Sequence, residues 1–294
     1  MEDKLYKYMT IDIGEKVLTN LTIRFAHQST FNDPYDSIPP YIVEKFSKVS
    51  FLKAIEYCKT LNFCEDILKG LNNDIRLYNS MTQEQIQRQG NEIIKRTRDV
   101  INQDQRILSL SSTNEDILMW SHYSKHHTGI VIGFDSNYKF FSKSTEIQYE
   151  YIPSKINGDT ILGNLEDEEI LRNELNKLLN IKYYSWGYEN EFRCILPTKQ
   201  LSDLVDDNFI NINYDRNIDK YHWLICKKQL NNNFQYIDLP ISPIAIKSIY
   251  LGAKMNILDE NKIINLIKIR LPHVEISKAS LDEYDYKINF NRVQ

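Results

Sequence analysis

Apolar and polar positions alternate with the period of a strand near the start of the chain and again from its middle onward, with a long helical pattern between. Residues 4–9 (KLYKYM) predict a first strand, and residues 21–27 (LTIRFAH) a second. In the second, Ile23 and Phe25 face one way and Thr22, Arg24 and Ala26 the other. From 41 to about 104 the spacing turns helical. There Thr82 and Gln85 fit a capping box ahead of Ile86, Ile93, Ile94, Val100 and Ile101. The densest stretch is 108–135, LSLSSTNEDILMWSHYSKHHTGIVIGFD. It predicts a hydroxyl-rich strand, a short amphipathic helix, and a buried strand over 130–135 entered through Gly129. Further strands are predicted at 146–151, 188–196, 236–239, 244–251 and 274–277, with helices at 166–179 and 258–269. The last strand–helix–strand run has the form of a β-α-β crossover. The pattern predicts a single α+β domain over 1–294, with a mixed, twisted sheet as its core and a helical insertion at about 41–104.

Composition narrows the class of function. The 294 residues are 42% hydrophobic and 12% aromatic, enough for a sizeable core. With 36 basic and 40 acidic residues the net charge is −4, so no broad basic field points to nucleic acid, although such a sum hides a local cationic groove. The first residues, Met1-Glu2-Asp3-Lys4, lack the features of a signal peptide, and no apolar run reaches the ~18–20 residues of a membrane span. Cys58, Cys64, Cys194 and Cys226 are scattered, as expected for reduced thiols in a cytoplasmic protein with no membrane partner. Asn231-Asn232-Asn233 reads as loop material.

Candidate chemistry gathers in two stretches. If 188–196 is one strand, Glu189, Glu191 and Arg193 share a face, while Phe192, Cys194 and Leu196 point to the core. Carboxylates two residues apart would lie ~7 Å from each other, close enough to serve one ligand. The plainer alternative is a ladder of charges on a solvent-facing sheet. Trp186, Tyr188 and Phe192 in the same segment favour a pocket whose rings flank a planar ligand. His122 and His126 have the i, i+4 spacing of a metal-binding helix, but Tyr123 stands where a zinc protease carries its glutamate. Only Glu115 or Asp116 offers a third ligand, so no metal is assigned. His127, followed by Thr128 and Gly129, suits a helix C-terminus. The cluster FNDPYD at 31–36 reads equally as a structural turn or a pocket lining. Cys194, on the core face, is a poor nucleophile.

Taken in order, KLYKYM, FNDPYD, the hydroxyl-rich strand leading into LMWSHYSKHHTGIVIGFD, WGYENEFR and IKSIYLGAK resemble a bacterial family, domain of unknown function twenty-nine seventy-one. More distantly, the layout resembles divergent ADP-ribosyltransferases, including toxin branches that modify DNA and RNA. That second resemblance implies NAD as substrate, a nucleic-acid or protein acceptor, and a toxin or phage-defence setting with an antitoxin or defence-system partner. It implies Glu191 as the carboxylate at the ribose and Glu189 as the group that orients acceptor or water. Lys7 or Arg24 would contact NAD from the first strands, and Ser109 and Ser111 would form the hydroxyl edge. Trp120, Tyr123, His127 and Trp186 would complete the cofactor contacts. The first strand carries neither Arg nor His, a departure from the superfamily pattern. Two other classes stay open: a metal-dependent hydrolase or nuclease built on His122 and His126, and a non-catalytic module that binds a nucleotide or a partner.

Overall fold

The computed structural model describes residues 3–60, 80–103, 105–197 and 235–293. Cys64, Cys226 and the Asn231–Asn233 run lie outside the described residues. Two compact units emerge from the contacts, one formed by 1–31, 105–149 and 184–294, the other by 32–104 and 150–183. The fold is α+β with a mixed sheet.

The first unit holds the sheet. Its described strands are β1 (Lys4–Met9), β2 (Thr22–Ala26), β3 (Gln105–Ser111), β4 (Ile130–Asp135), β5 (Thr145–Glu146), β6 (Glu191–Pro197), β7 (Tyr236–Pro240), β8 (Ile246–Leu251), β9 (Glu275–Leu281) and β10 (Ile288–Val293). They run in the order β7-β2-β3-β1-β4-β8-β9-β10, with β6 pairing with β3 and β5. All described pairings in this sheet are antiparallel except β8–β9, which a helix bridges as the crossover pattern predicts. Strand β10 and the helix α1 (Ile11–Asn20) are additions to the sequence expectation. The predicted strand at 146–151 divides into Thr145–Glu146 and Gln148–Glu150, and the strand expected from 244 starts at Ile246 after a 3-10 turn.

Alternation along the strands gives the sheet two apolar faces. On one lie Leu5, Ile23, Phe25, Leu108, Leu110, Ile130, Ile132, Cys194 and Ile249, covered by α1 and by α3 (Ile257–Arg270) through Val17, Leu18, Ile263 and Ile267. On the other, Tyr8, Val131, Ala279 and Ile288 receive Met119 and Trp120 of α2 (Ile117–Tyr123). Asp116 caps α2, its carboxylate accepting from the Met119 amide at 2.8 Å.

Strand β3 sits at a fork. One edge pairs along its whole length with β6, from Glu191 opposite Ser111 to Pro197 opposite Gln105. The other edge is shared, with Tyr6 of β1 opposite Ser111 and Ala26 of β2 opposite Ile107. Between those two contacts the Ser109 carbonyl accepts from the Lys7 ammonium at 2.6 Å. The lysine thus satisfies a backbone acceptor where the two neighbouring strands diverge.

In the second unit the capping box forms as read. The Thr82 amide donates to Gln85 Oε1 at 2.8 Å and the Gln85 amide to Thr82 Oγ1 at 3.2 Å, opening the helix Gln83–Gln103. That helix, with Lys48–Thr60, Gly158–Leu162 and Glu168–Leu179, packs around Phe46, Phe51, Ile86, Ile94, Ile161 and Leu175. The turn of FNDPYD is structural here: Asp33 Oδ1 accepts from the Tyr35 amide, and the buried Asp36 carboxylate pairs with Lys182 at 3.1 Å. No helix of the described residues is long and apolar enough to cross a membrane.

Candidate functional site

Strands β3 and β6 place four polar side chains on one face. Directly opposed residues of an antiparallel pair point the same way, so Glu191 lies beside Ser111 and Arg193 beside Ser109. Leu108, Leu110, Cys194 and Leu196 take the opposite, apolar face, as alternation requires. Burial overturns the solvent-ladder reading: Glu191 is 3% exposed and Arg193 0%. The guanidinium grips the carboxylate in bidentate fashion, Nε to Oε1 at 2.7 Å and Nη2 to Oε2 at 3.0 Å. Its carbon also lies 5.9 Å from the centre of the Phe31 ring. The Glu191 amide donates to the Tyr149 hydroxyl at 2.8 Å, a contact that nothing in the local sequence pattern announces.

Glu189 does not extend that strand. It ends a 3-10 turn, Tyr184–Glu189, and the strand begins at Glu191. Asn190 between them has φ 43°, the left-handed region that asparagine tolerates better than most residues. The i, i+2 strand spacing expected of the two glutamates is therefore broken, and the backbone turns Glu189 toward α2. Its carboxylate, on a residue 4% exposed, accepts from the Tyr123 hydroxyl at 2.5 Å. Its backbone carbonyl accepts from Ser111 Oγ at 2.7 Å, so the serine fixes this turn to β3. A row of aromatic rings leads up to this carboxylate. Trp186 and Tyr188 are 6.1 Å apart, Tyr188 and His122 6.2 Å, and His122 and Tyr123 6.5 Å.

The other predicted cofactor contacts separate. Trp120 is fully buried: its indole nitrogen donates to the Asn114 carbonyl, and Tyr8, His127 and Phe290 pack around its ring. It is a core residue, not a stacking platform. Lys7 caps the Ser109 carbonyl, as described, and by alternation lies on the face opposite Tyr6 and Ser111. Arg24 is held by both oxygens of Asp238 and lies over the Tyr236 ring, on the β2–β7 side of the sheet. Trp186 and Tyr123 are half-buried members of the aromatic row. Burial pushes the Cys194 thiol up to about 12, consistent with an inert core cysteine.

The helical spacing of His122 and His126 does not survive either, because α2 ends at Tyr123. Lys125, His126 and His127 follow with φ of 46°, 56° and 67°, a left-handed turn of three non-glycine residues. Among the described residues no group of three or more His, Cys, Asp or Glu side chains is arranged to hold a metal ion. The turn is fastened from outside: the Lys254 and Gly252 amides donate to the carbonyls of His127 and Gly129, both at 2.9 Å. Gly252 has no room for a side chain, since a Cβ there would stand 2.2 Å from the His127 oxygen and 2.9 Å from that of Gly129. Gly252→Ala is therefore expected to lower stability by about 1–3 kcal/mol, the usual range for overpacking against atoms that cannot swing away. A thermal melt indistinguishable from wild type would show that the fastening is slack.

No curated protein and no solved structure matches the chain. A family model does match, over residues 119–194, from Met119 of α2 through Cys194 of β6. That span contains Tyr123, Glu189, Glu191 and Arg193, and across it the chain resembles the family described as Protein of unknown function (DUF2971).

Proposed function

We propose that this chain is an NAD-consuming enzyme of the ADP-ribosyltransferase type, of the toxin or phage-defence kind, passing ADP-ribose to a nucleic-acid or protein acceptor. The observation that carries the reading is the buried Glu189 carboxylate, gripped by Tyr123 and set beside the hydroxyl-bearing strand β3. Breaking the nicotinamide–ribose bond sends the bonding pair to nicotinamide and leaves positive charge at the anomeric carbon. A fixed carboxylate facing that carbon stabilises the charge as it develops. The acceptor oxygen or nitrogen, or water in plain hydrolysis, then bonds to the carbon and gives up its proton, for which a carboxylate is a suitable base.

The two glutamates receive roles in this reading different from those implied by the superfamily pattern. Both oxygens of Glu191 already face the guanidinium of Arg193, so its charge is largely spent within the protein. The Glu189 carboxylate accepts from the Tyr123 phenol and stands at the end of the aromatic row. We therefore assign the cation-facing role to Glu189 and a scaffolding role to the Glu191–Arg193 pair. The half-buried rings of Trp186 and Tyr188 are suited to stack on a planar base.

The test is incubation of the purified protein with NAD labelled in its adenylate portion, together with DNA, RNA and protein from a cell lysate. Release of nicotinamide, with label appearing on one acceptor class, is the expected result. NAD recovered intact under all conditions would remove the transferase reading and favour a binding module in which both carboxylates serve only the fold.

A further inference from the structure

We infer that the left-handed turn Lys125–His127, closed against Lys254, is a binding site for a diphosphate group, such as the one that links the halves of a dinucleotide. Two independent observations point there. The first is conformational. Three successive non-glycine residues in the left-handed region are conformationally unfavourable, and the chain sustains them with bonds from both sides. The His126 amide donates to the Ser121 carbonyl, the His127 amide to that of Trp120, and the Gly129 amide to that of Ser124. The result sets one buried imidazole beside the exposed Lys254 and His126, with the exposed Lys125 in the same turn.

The second observation is that imidazole itself. His127 is 8% exposed and lies parallel to Trp120, with 8° between the ring planes. Its Nδ1 is buried and has no hydrogen-bond partner among the described residues. An unsatisfied buried polar atom in an otherwise well-bonded turn is a common mark of a missing ligand, ion or water. Burial first, then the positive charges of Lys254 and His126, hold this imidazole below its ordinary value. An anion placed among these groups reverses that influence: it pairs with Lys254 and Lys125, and it draws a proton onto His127. Nothing in this requires NAD to be cleaved, so the site stands or falls apart from the reaction proposed above.

The experiment uses the full chain and inorganic pyrophosphate, with sulfate at matched ionic strength as the control anion. Histidine labelled with carbon-13 at C2 lets the His127 resonance be followed across pH by NMR. Pyrophosphate is expected to bind more tightly than sulfate, to raise the midpoint of the His127 titration, and to bind more strongly as pH falls through that midpoint. Lys254→Gln, an exposed change that leaves the fold intact, should weaken pyrophosphate about tenfold, the effect of losing one charge-assisted contact. His127→Asn, which keeps a residue tolerant of left-handed backbone, should bind pyrophosphate with no such pH dependence. Pyrophosphate bound no better than sulfate, or bound equally by Lys254→Gln, or bound without moving His127, would each overturn the site. ADP-ribose in place of pyrophosphate then reports whether the rest of a dinucleotide adds affinity. Active NAD cleavage alongside a failed pyrophosphate result would leave the transferase reading intact and remove only this site.

Discussion

Glu191→Gln is expected to destabilise the protein by about 3–5 kcal/mol, because it removes the bidentate ionic partner of a fully buried guanidinium. Glutamine keeps the shape and one acceptor oxygen, but it offers an amide donor where Arg193 Nη2 now donates to Oε2. The sequence invites the opposite forecast, a mild surface substitution, and the burial of both partners is what changes it. A control separates charge from packing. Replacing both residues together, Glu191→Leu with Arg193→Met, removes both members of this ion pair at once and should recover part of the loss, as apolar replacements of buried ion pairs often do. Urea unfolding of wild type, the single variant and the double variant is the measurement, with the slope of the transition checked for constancy. A single variant as stable as wild type would mean that water or another group compensates the arginine. The same result governs how activity data are read, since lost turnover in an unfolding-prone Glu191 variant says little about chemistry.

Much of the scaffold was legible in the chain because it depends on period and on strong local signals. Alternation alone sent Phe192, Cys194 and Leu196 to the core and Glu191 and Arg193 to the other face. The Thr82–Gln85 box and the crossover from β8 through α3 to β9 carried their signatures in consecutive residues. Helix α1 carries no such signature: Gly14 interrupts it, and Leu21, a residue with no preference for the left-handed conformation, forms its C-cap at φ 51°. The site was legible only in outline. Nothing in WGYENEFR says that Asn190 adopts φ 43°, yet that one residue decides whether the two carboxylates share a strand face or part company. The aromatic residues misled in a similar way. Trp120 and Trp186 look alike as candidate stacking rings, but Trp120 occupies a helix position facing Tyr8 and Val131, and only the pairing of α2 with the sheet reveals it. Long-range register was likewise hidden, since Lys7 finds its acceptor, the Ser109 carbonyl, 102 positions away at a fork between strands.

Glu189→Gln and Tyr123→Phe together test whether the hydrogen-bonded carboxylate is a reaction centre or a fold element. If Glu189 faces the developing cation, Glu189→Gln should slow nicotinamide release by about 10²–10³, the usual consequence of losing one preorganised electrostatic contact. Tyr123→Phe keeps the ring in the aromatic row and removes only the hydroxyl that bonds Glu189 at 2.5 Å. Losing a hydrogen bond to a charged group is worth roughly 1.5–3 kcal/mol, so a smaller loss of about 10–100-fold is expected. The phenol acts through the carboxylate, so its removal in a Glu189→Gln background should cost little further activity. A purely structural role predicts something else: both variants would melt earlier, and turnover per folded molecule would match wild type. Nicotinamide release by the single and double variants, with a thermal melt of each, distinguishes the two. Should Glu189→Gln release nicotinamide at the wild-type rate with an unchanged melt, Glu189 is neither catalyst nor support, and the chemistry must be sought elsewhere on the chain.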